Sequence, residues 1–345
     1  MTATNLSNGP AELEPGWARW LATTLIEQAL TLDDSRPIQT LAAEASQRKF
    51  FRIPVRQASG DATRILMHSP PQLENNRAFV DTAAAMRSAG VKVPHIYAHE
   101  WNEGLLLLSD LGGDHLADAY ADGRRDLALD AALLTLADIQ KIPNGLVPPY
   151  TPQRFSDELD IFVDWLVRDA CDLALPDAVF EPVRRTLLAS ARDQTQVCVH
   201  RDYHCRNLLM QPGPDAQGVG VVDFQDALFG PISYDFASLL FDCYWAFAPD
   251  TVAEYCSRYQ AKNPGIERIH IDLIAIQRQL KAIGIFARLA LRDNKHTHLR
   301  YIDPVIGRLS QQTRDYAPTK ALSQWLSNDL QPAVQSWVSE RNGAQ

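Results

Sequence analysis

The sequence predicts an α+β fold of two lobes, a small, mostly antiparallel β lobe over residues 1–110 and a larger helical lobe over 111–345. Three observations carry this. Short strand-like runs cluster between residues 38 and 109 with one helix-period segment among them. Leu111-Gly112-Gly113 then supplies a hinge, because two glycines after an apolar strand let the backbone change direction without strain. Beyond it, segments of helical period dominate and are broken by one hairpin.

Trp17, Trp20, Leu21, Thr24, Leu25 and Gln28 recur at helical spacing and predict an amphipathic helix over 16–31, ended by Asp33-Asp34-Ser35-Arg36-Pro37. Five strands follow: Ile38 to Leu41, Phe50 to Val55, Arg64 to His68, Tyr97 to His99 and Leu105 to Ser109. The helix among them spans Glu74 to Ala89 and breaks at Gly90, after which Val91-Lys92-Val93-Pro94 reads as an extended connection. In the second lobe, helices are expected near 124–140, 155–171, 178–193, 233–246, 250–261, 271–293 and 319–338. No internal repeat or low-complexity segment is present.

At 345 residues the chain can form two sizeable cores, and 46% hydrophobic with 22% charged residues is the balance of a globular enzyme. A net charge of -9 argues against nucleic acid or an anionic membrane as partner. Cys171, Cys198, Cys205, Cys243 and Cys256 are odd in number and lack a Cys-x-x-Cys pair, which speaks against a disulfide framework and a structural zinc site and for a reducing compartment. Met1 to Pro15 lacks the basic and apolar regions of a signal peptide, and no apolar run approaches the roughly 20 residues of a membrane span, so a cytoplasmic location is expected. Gly218-x-Gly220 lacks the third glycine of a dinucleotide-binding turn, and no Gly-x-x-x-x-Gly-Lys-Ser/Thr loop occurs. The oligomeric state is not set by the sequence, and a monomer is the default expectation.

The stretch that carries chemistry is His200-Arg201-Asp202-Tyr203-His204-Cys205-Arg206-Asn207, followed by Val221-Val222-Asp223-Phe224. Between them, Leu208-Leu209-Met210 and Val219-Gly220-Val221-Val222 flank a turn-rich stretch and predict a hairpin. An antiparallel hairpin returns the chain to its starting level, so Asn207 and Asp223 should lie side by side. This order of groups matches phosphoryl transfer from ATP, in which a carboxylate accepts the acceptor's proton while an amide oxygen and a second carboxylate hold Mg²⁺. Asp202 is the expected base, and Asn207 and Asp223 are the expected metal ligands. Two hard oxygens suffice, because Mg²⁺ keeps several waters and binds phosphate oxygens. His200 reads as structural, and Phe224 as core.

The chain from Leu41 onward resembles the aminoglycoside phosphotransferase and choline kinase family of the protein-kinase-like fold. Asp223-Phe224-Gln225-Asp226-Ala227, Gly230-Pro231, Tyr234-Asp235, Phe155-x-x-Glu158-Leu159-x-x-Phe162-x-x-Trp165 and Leu280-Lys281-Ala282-Ile283-Gly284-Ile285-Phe286-Ala287-Arg288-Leu289 are similar to its bacterial branch of amino-sugar kinases. That resemblance implies a small-molecule amino sugar as acceptor, N-acetylmuramate or N-acetylglucosamine, phosphorylated on the anomeric hydroxyl in peptidoglycan recycling. It also implies that the backbone at Ser109, Asp110 and Leu111 meets the adenine. An aminoglycoside, choline or another sugar as acceptor, or an ATP-binding pseudokinase, remains an alternative.

The chain departs from the kinase pattern in its first lobe. The phosphate loop should be rich in glycine, yet Glu44-Ala45-Ser46-Gln47-Arg48-Lys49 has none, and the strand Thr63 to His68 lacks the usual lysine. Ser46, Gln47, Arg48 and Lys49 are the candidate nucleotide-binding residues, with Arg48 or Lys49 replacing the lysine and Arg64 as second choice; a solvated face is the bland alternative. Glu74, near the place of the lysine's usual partner, reads as an exposed carboxylate at a helix start. On the acceptor side stand His204, Arg206, Gln225, Asp226 and Arg288. Arg288 belongs to a basic stripe with Arg278, Lys281 and Arg292, read either as solvated or as facing a substrate carboxylate. Asp157, Glu158, Asp160 and Asp164 read as a solvated acidic face. Asp235 reads as support for the catalytic loop.

Overall fold

A computed structural model describes residues 12–41, 47–211 and 218–342. Two compact units emerge: one runs to Asp138 and takes in Arg206–Gln225, the other comprises Ile139–Cys205 and the chain from Asp226 onward. The expected division at residue 111 falls inside the first unit, to which the chain returns for the hairpin at 206–225.

The first unit is built on an antiparallel sheet of strands β1 (Thr31–Leu32), β2 (Gln39–Leu41), β3 (Lys49–Gln57), β4 (Gly60–His68), β5 (Ile96–Glu100) and β6 (Leu105–Ser109). Their order is β1-β3-β4-β6-β5, with β2 also paired to β3. Leu105 to Leu108 are all buried, as befits a strand covered on both faces. The helix Pro15–Glu27 starts on a proline, whose missing N–H costs nothing at a first turn, and lays Trp17, Leu21 and Leu25 on Ile53, Val55, Leu66 and Leu107. It ends earlier than the expected residue 31: Ala29 turns left-handed at φ 54°, and the chain enters β1, a sixth strand the sequence does not announce.

The helix Asn76–Ser88 begins two residues later than expected, because Asn75 caps it by accepting from the Ala78 N–H at 3.1 Å. Short Leu116–Ala121 is a further, unexpected helix, and Arg125–Ile139 corresponds to the expected segment at 124–140. The hairpin pairs Leu208 with Val221, Leu209 with Gly220 and Met210 with Val219; its turn at 212–217 lies outside the described residues. Neighbours fix this register. Thr135 Oγ1 accepts from Val219 N, the Lys92 carbonyl from Val221 N, and the Asp114 carbonyl from Met210 N, each at 2.8 Å. A Cβ at Gly220 would stand 2.5 Å from Gln211 Nε2, so a larger residue there would have to displace the Gln211 side chain.

In the second unit the 25-residue helix Arg268–Arg292 is buried over most of its circumference. It packs on Pro152–Ile161 and on the π-helical continuation Phe162–Ala170, where one helix over 155–171 was expected. Gly284 marks their closest approach: a Cβ there would stand 2.7 Å from Ile161 O and Phe162 N. The expected helix at 319–338 is likewise interrupted, as Lys320–Trp325, a π turn at Leu326–Leu330, and Gln331–Asn342. Ile302–Arg314 is a helix with no counterpart among the expected ones, and Gln196–Val199 pairs antiparallel with Leu228–Pro231 in a small second sheet that the hydrophobic pattern also hid. The Tyr234–Leu240 helix stops short of the expected residue 246, because Asp242 turns the chain by accepting from Tyr244 N at 2.7 Å.

Candidate active site

In the second unit, the buried strand Gln196–Val199 delivers the chain to His200 and Arg201. Arg201 is left-handed at φ 77°, a conformation that an L side chain holds only under compulsion. Asp235, fully buried near the start of its helix, supplies that compulsion by accepting from His200 N at 2.6 Å and Arg201 N at 2.9 Å. Burial raises the Asp235 carboxyl above its usual range even so. Asp235 thus supports the loop, as its sequence context suggested. Farther along, Asp242 accepts from Cys205 N at 3.0 Å and closes the loop's other end.

Asp202 projects from this frame with 37% of its side chain exposed. Arg278 reaches it, Nη1 to Oδ1, at 3.1 Å and also donates to the Arg201 carbonyl. Burial works to raise the Asp202 carboxyl, but Lys281 and Arg278 outweigh it and hold the group well below the usual range. Asp202 is therefore ionised and held in one orientation by its cations.

Glu158 lies beneath this loop. Its side chain is 6% exposed and accepts from Lys281 Nζ at 3.2 Å, from Gln277 Nε2 at 3.2 Å, and from Arg201 and Tyr150. Burial would raise its carboxyl, yet Lys281 and Arg201 bring it down to about 2. The expected acidic face is thus split. Asp157, Asp160 and Asp164 bond Gln153, Arg184 and Arg168 on the outside, while Glu158 points inward as the counter-charge of the loop. The basic stripe is split in the same way. Arg278 and Lys281 serve the loop, whereas Arg292 is 55% exposed and pairs with Asp293 at 2.7 Å. Arg288, half-buried, has an Nε without a hydrogen-bond partner and, ten residues on, stands roughly 15 Å along the helix axis from Arg278. It is not brought to Asp202.

His204 sets its ring edge-on to Tyr244 at 5.1 Å, and exposed Asp226 offers its backbone carbonyl to Arg201 Nη1 at 3.2 Å. Tyr150, Gln277 and Asp242 belong to the site's frame and went unread in the sequence; Gln277 and Asp242 meet partners 119 and 37 positions away, and Tyr150 meets Glu158 across the start of a helix, which no local pattern marks.

The first unit carries the candidate metal ligands. Val222 N donates to the Asn207 carbonyl at 3.0 Å, which sets the two hairpin strands level. Asn207 Nδ2 then stands 3.5 Å from Asp223 Oδ2, so the predicted juxtaposition is met. Asp223 is left-handed at φ 63°, and Gln225 Nε2 donates to its Oδ1 at 2.9 Å. An amide and a carboxylate are hard oxygen donors and fit a magnesium ion that keeps its waters. Among the described residues no three His, Cys, Asp or Glu side chains gather as a metal cage. Half-buried Arg206 immediately precedes Asn207. Phe224 is fully buried and stacks on Phe79, centroids 4.8 Å apart.

The nucleotide candidates separate. Ser46 lies outside the described residues, as do Glu44 and Ala45. Gln47 and Lys49 are exposed, with Lys49 Nζ 5.4 Å over Trp17. Arg48 is buried and pairs with Glu74 at 2.9 Å, so Glu74 is no exposed helix-start carboxylate: it precedes the cap Asn75 and, itself half-buried, is the partner of a buried cation. Arg64 lies over Tyr97 and donates to Gln57 at 3.2 Å. Ser109 Oγ accepts from His95 N at 2.8 Å. Asp110 accepts from Arg52 at 2.6 Å and from Thr63 at 2.7 Å; burial would raise its carboxyl, but these bonds lower it. Both side chains are thus engaged within the first unit, and Ser109 N donates to the His95 carbonyl at 2.8 Å. Leu111 O accepts from Gln211 at 3.3 Å.

Residues 37–270 match the APH phosphotransferase enzyme family. The N-acetylmuramate/N-acetylglucosamine kinase of Pseudomonas aeruginosa is 35% identical over 289 residues, 77% of this chain and 83% of the relative. Choline kinase LicA from Streptococcus pneumoniae superposes with a TM-score of 0.61 at 12% identity, covering 87% of this chain and all of the other. A thermostable aminoglycoside phosphotransferase in ternary complex with AMP-PNP and hygromycin B gives a TM-score of 0.57 at 18% identity over 86% of this chain and 98% of its own.

Proposed function

Because the chain belongs to the APH phosphotransferase enzyme family, we propose that it transfers the γ-phosphoryl of ATP to the anomeric hydroxyl of an amino sugar, N-acetylmuramate or N-acetylglucosamine. The observation that carries the chemistry is the pre-set base. Asp202 is ionised, aimed by Arg278 and held on a loop whose amides Asp235 pins. A side chain kept so by buried cations serves a reaction in which a proton must be accepted. The acceptor comes from the relative, whose name specifies both sugars.

In this reading Asp202 orients the acceptor hydroxyl and takes its proton as the bond to phosphorus forms, while the β-phosphate of ADP leaves with the electron pair of the broken bond. A carboxylate held so far below its ordinary range is a weak base. It suffices where the hydroxyl proton departs late, as in a loose phosphoryl-transfer transition state, and where the hydroxyl is a hemiacetal and more acidic than an ordinary alcohol. Asn207 Oδ1 and an Asp223 carboxylate oxygen would hold Mg²⁺, with Gln225 fixing the carboxylate's orientation; bound there, the ion would neutralise phosphate charge. The backbone at Ser109 to Leu111 meets the adenine, and Gln47 and Lys49 stand with the phosphate loop. His204, Arg206 and Asp226 are the acceptor-side groups, and Arg288 could meet only a more distant part of an acceptor. ATP as donor places the reaction in the cytoplasm, and one chain carries every group named, so a monomer suffices.

The test is an acceptor panel with the purified protein, Mg²⁺ and ATP, read by ADP release and by phosphorus and proton NMR of the product. A sugar 1-phosphate from either amino sugar is expected. ADP release with an aminoglycoside or choline but with neither amino sugar would overturn the acceptor, and nucleotide binding without turnover on any acceptor would overturn the enzyme.

A further inference from the structure

Every phosphoryl donor site needs a fixed cation for the non-transferred phosphates, and β4 carries no lysine to supply it. The other cations of the sheet are engaged elsewhere. Arg52 straps Asp110, Arg56 reaches Asp33 at 2.7 Å, Arg64 lies on Tyr97, and Lys49 sits over Trp17. Arg48 differs from all of them in being 4% exposed at the side chain and held on three sides. The pairing of Lys49 with His68 sets it opposite Ser69, just past the end of β4, where its Nε donates to Ser69 Oγ at 3.2 Å. Its Nη2 meets Glu74 at 2.9 Å, and its guanidinium lies 5.5 Å from the centre of Phe79. Phe79 in turn stacks on Phe224, the neighbour of the metal-ligand candidate Asp223. A guanidinium beside Phe79, and Phe79 stacked on Phe224, thus connect this cation to the candidate metal hairpin within one compact unit.

We propose that Arg48, fixed by Glu74, binds the α- and β-phosphates of the nucleotide in place of the lysine that β4 lacks. The proposal rests on the kinase reading above and specifies its phosphate site. Ion pairs this buried contribute little net stability against apolar replacements, so stability alone is a poor reason for one here. The two edges of a guanidinium can serve a carboxylate and a phosphate together, which a lysine's point charge does less well. Arg48 comes from the strand beside the usual one, and Glu74 takes the lysine's partner role from just ahead of the helix.

Calorimetric titration of the full chain with ATP, ADP and adenosine, without acceptor, tests this in Arg48→Met, Arg48→Lys and Glu74→Gln. Arg48→Met should lose roughly tenfold to a hundredfold in affinity for ATP and ADP, the scale of a charge-assisted hydrogen bond, and nothing for adenosine. Arg48→Lys should recover part of the loss, and Glu74→Gln should show a smaller loss confined to the same two ligands. Equal loss for all three ligands, or none in a folded variant, would overturn the proposal by making Arg48 structural. Should Arg48→Met not fold, the ratio of ATP to adenosine affinity in Arg48→Lys decides by the same criterion. Sugar identity does not enter, so a wrong acceptor leaves this result standing, whereas an unsubstituted protein that binds no ATP would overturn both readings.

Discussion

The loop that carries Asp202 and the hairpin that carries Asn207 and Asp223 are adjacent in sequence and built on opposite plans. The loop is over-determined. Asp235 and Asp242 take its amides, Arg278 takes a carbonyl and the base itself, and a buried counter-charge at Glu158 neutralises the cations beneath. The hairpin holds its level by backbone pairing, which sets Asn207 Nδ2 3.5 Å from Asp223 Oδ2, while Gln225 donates to Asp223. On the proposed reading Asp202 must be aimed before the acceptor arrives, so rigidity serves it, whereas Asn207 and Asp223 must turn toward an ion when one enters, which a hairpin held by its backbone allows.

This contrast can be broken most sharply at the base. Asp202→Ala should lower kcat by about 10²–10⁴ while nucleotide affinity is kept, and steady-state kinetics beside a binding titration would show it. Next comes the frame beneath. Glu158→Ala leaves Lys281 and Arg201 buried without their counter-charge and should cost about 3–5 kcal/mol in urea denaturation. Asn207→Ala, by contrast, removes no charge and should cost no more than about 1.5 kcal/mol, the scale of a neutral hydrogen bond. Equal losses from the two substitutions would erase the distinction between the two plans. Gln225→Leu should then raise the Mg²⁺ concentration for half-maximal activity roughly tenfold with KM for the sugar unchanged, the size expected of a residue that orients a ligand.

The smallest effect is on pH. Glu158 is lowered from 4.5 to about 2 by Lys281 and Arg201 in spite of burial, so the unfolded chain binds the proton more readily than the folded one. Its stabilising contribution is therefore full above about 4.5 and declines as pH falls toward 2. Melting temperatures across that window should drop less in Glu158→Gln than in the parent, because the variant has no proton to gain there.

Much of this was legible where the chemistry is local. The hairpin level that sets Asn207 beside Asp223 follows from two apolar runs and a turn, and Asp235 was read as a support because a carboxylate near a helix start seeks amides. The family followed from the same motifs. What escaped was set by distant partners. Glu158 looks like one of four carboxylates on a wet helix face until Lys281 and Arg201 are found against it, and Glu74 looks exposed until Arg48 arrives from across the sheet. Strand β1 escaped because two residues carry no periodicity, and Ala29 gives no sign that it will turn left-handed.

Arg201 gathers several of these demands at one position. Its amide goes to Asp235, its carbonyl to Arg278, its side chain to Glu158, and its backbone sits at φ 77°. Each replacement that helps one demand harms another: glycine relaxes the backbone and abandons Glu158, while lysine keeps a charge and surrenders the planar fork. The site is thus a mutational dead end, from which no single exchange leads uphill. Diversification of this enzyme toward new acceptors has to proceed around Arg201, through the half-buried His204 and Arg206, and a library that randomises Arg201 would return mostly unfolded or silent variants.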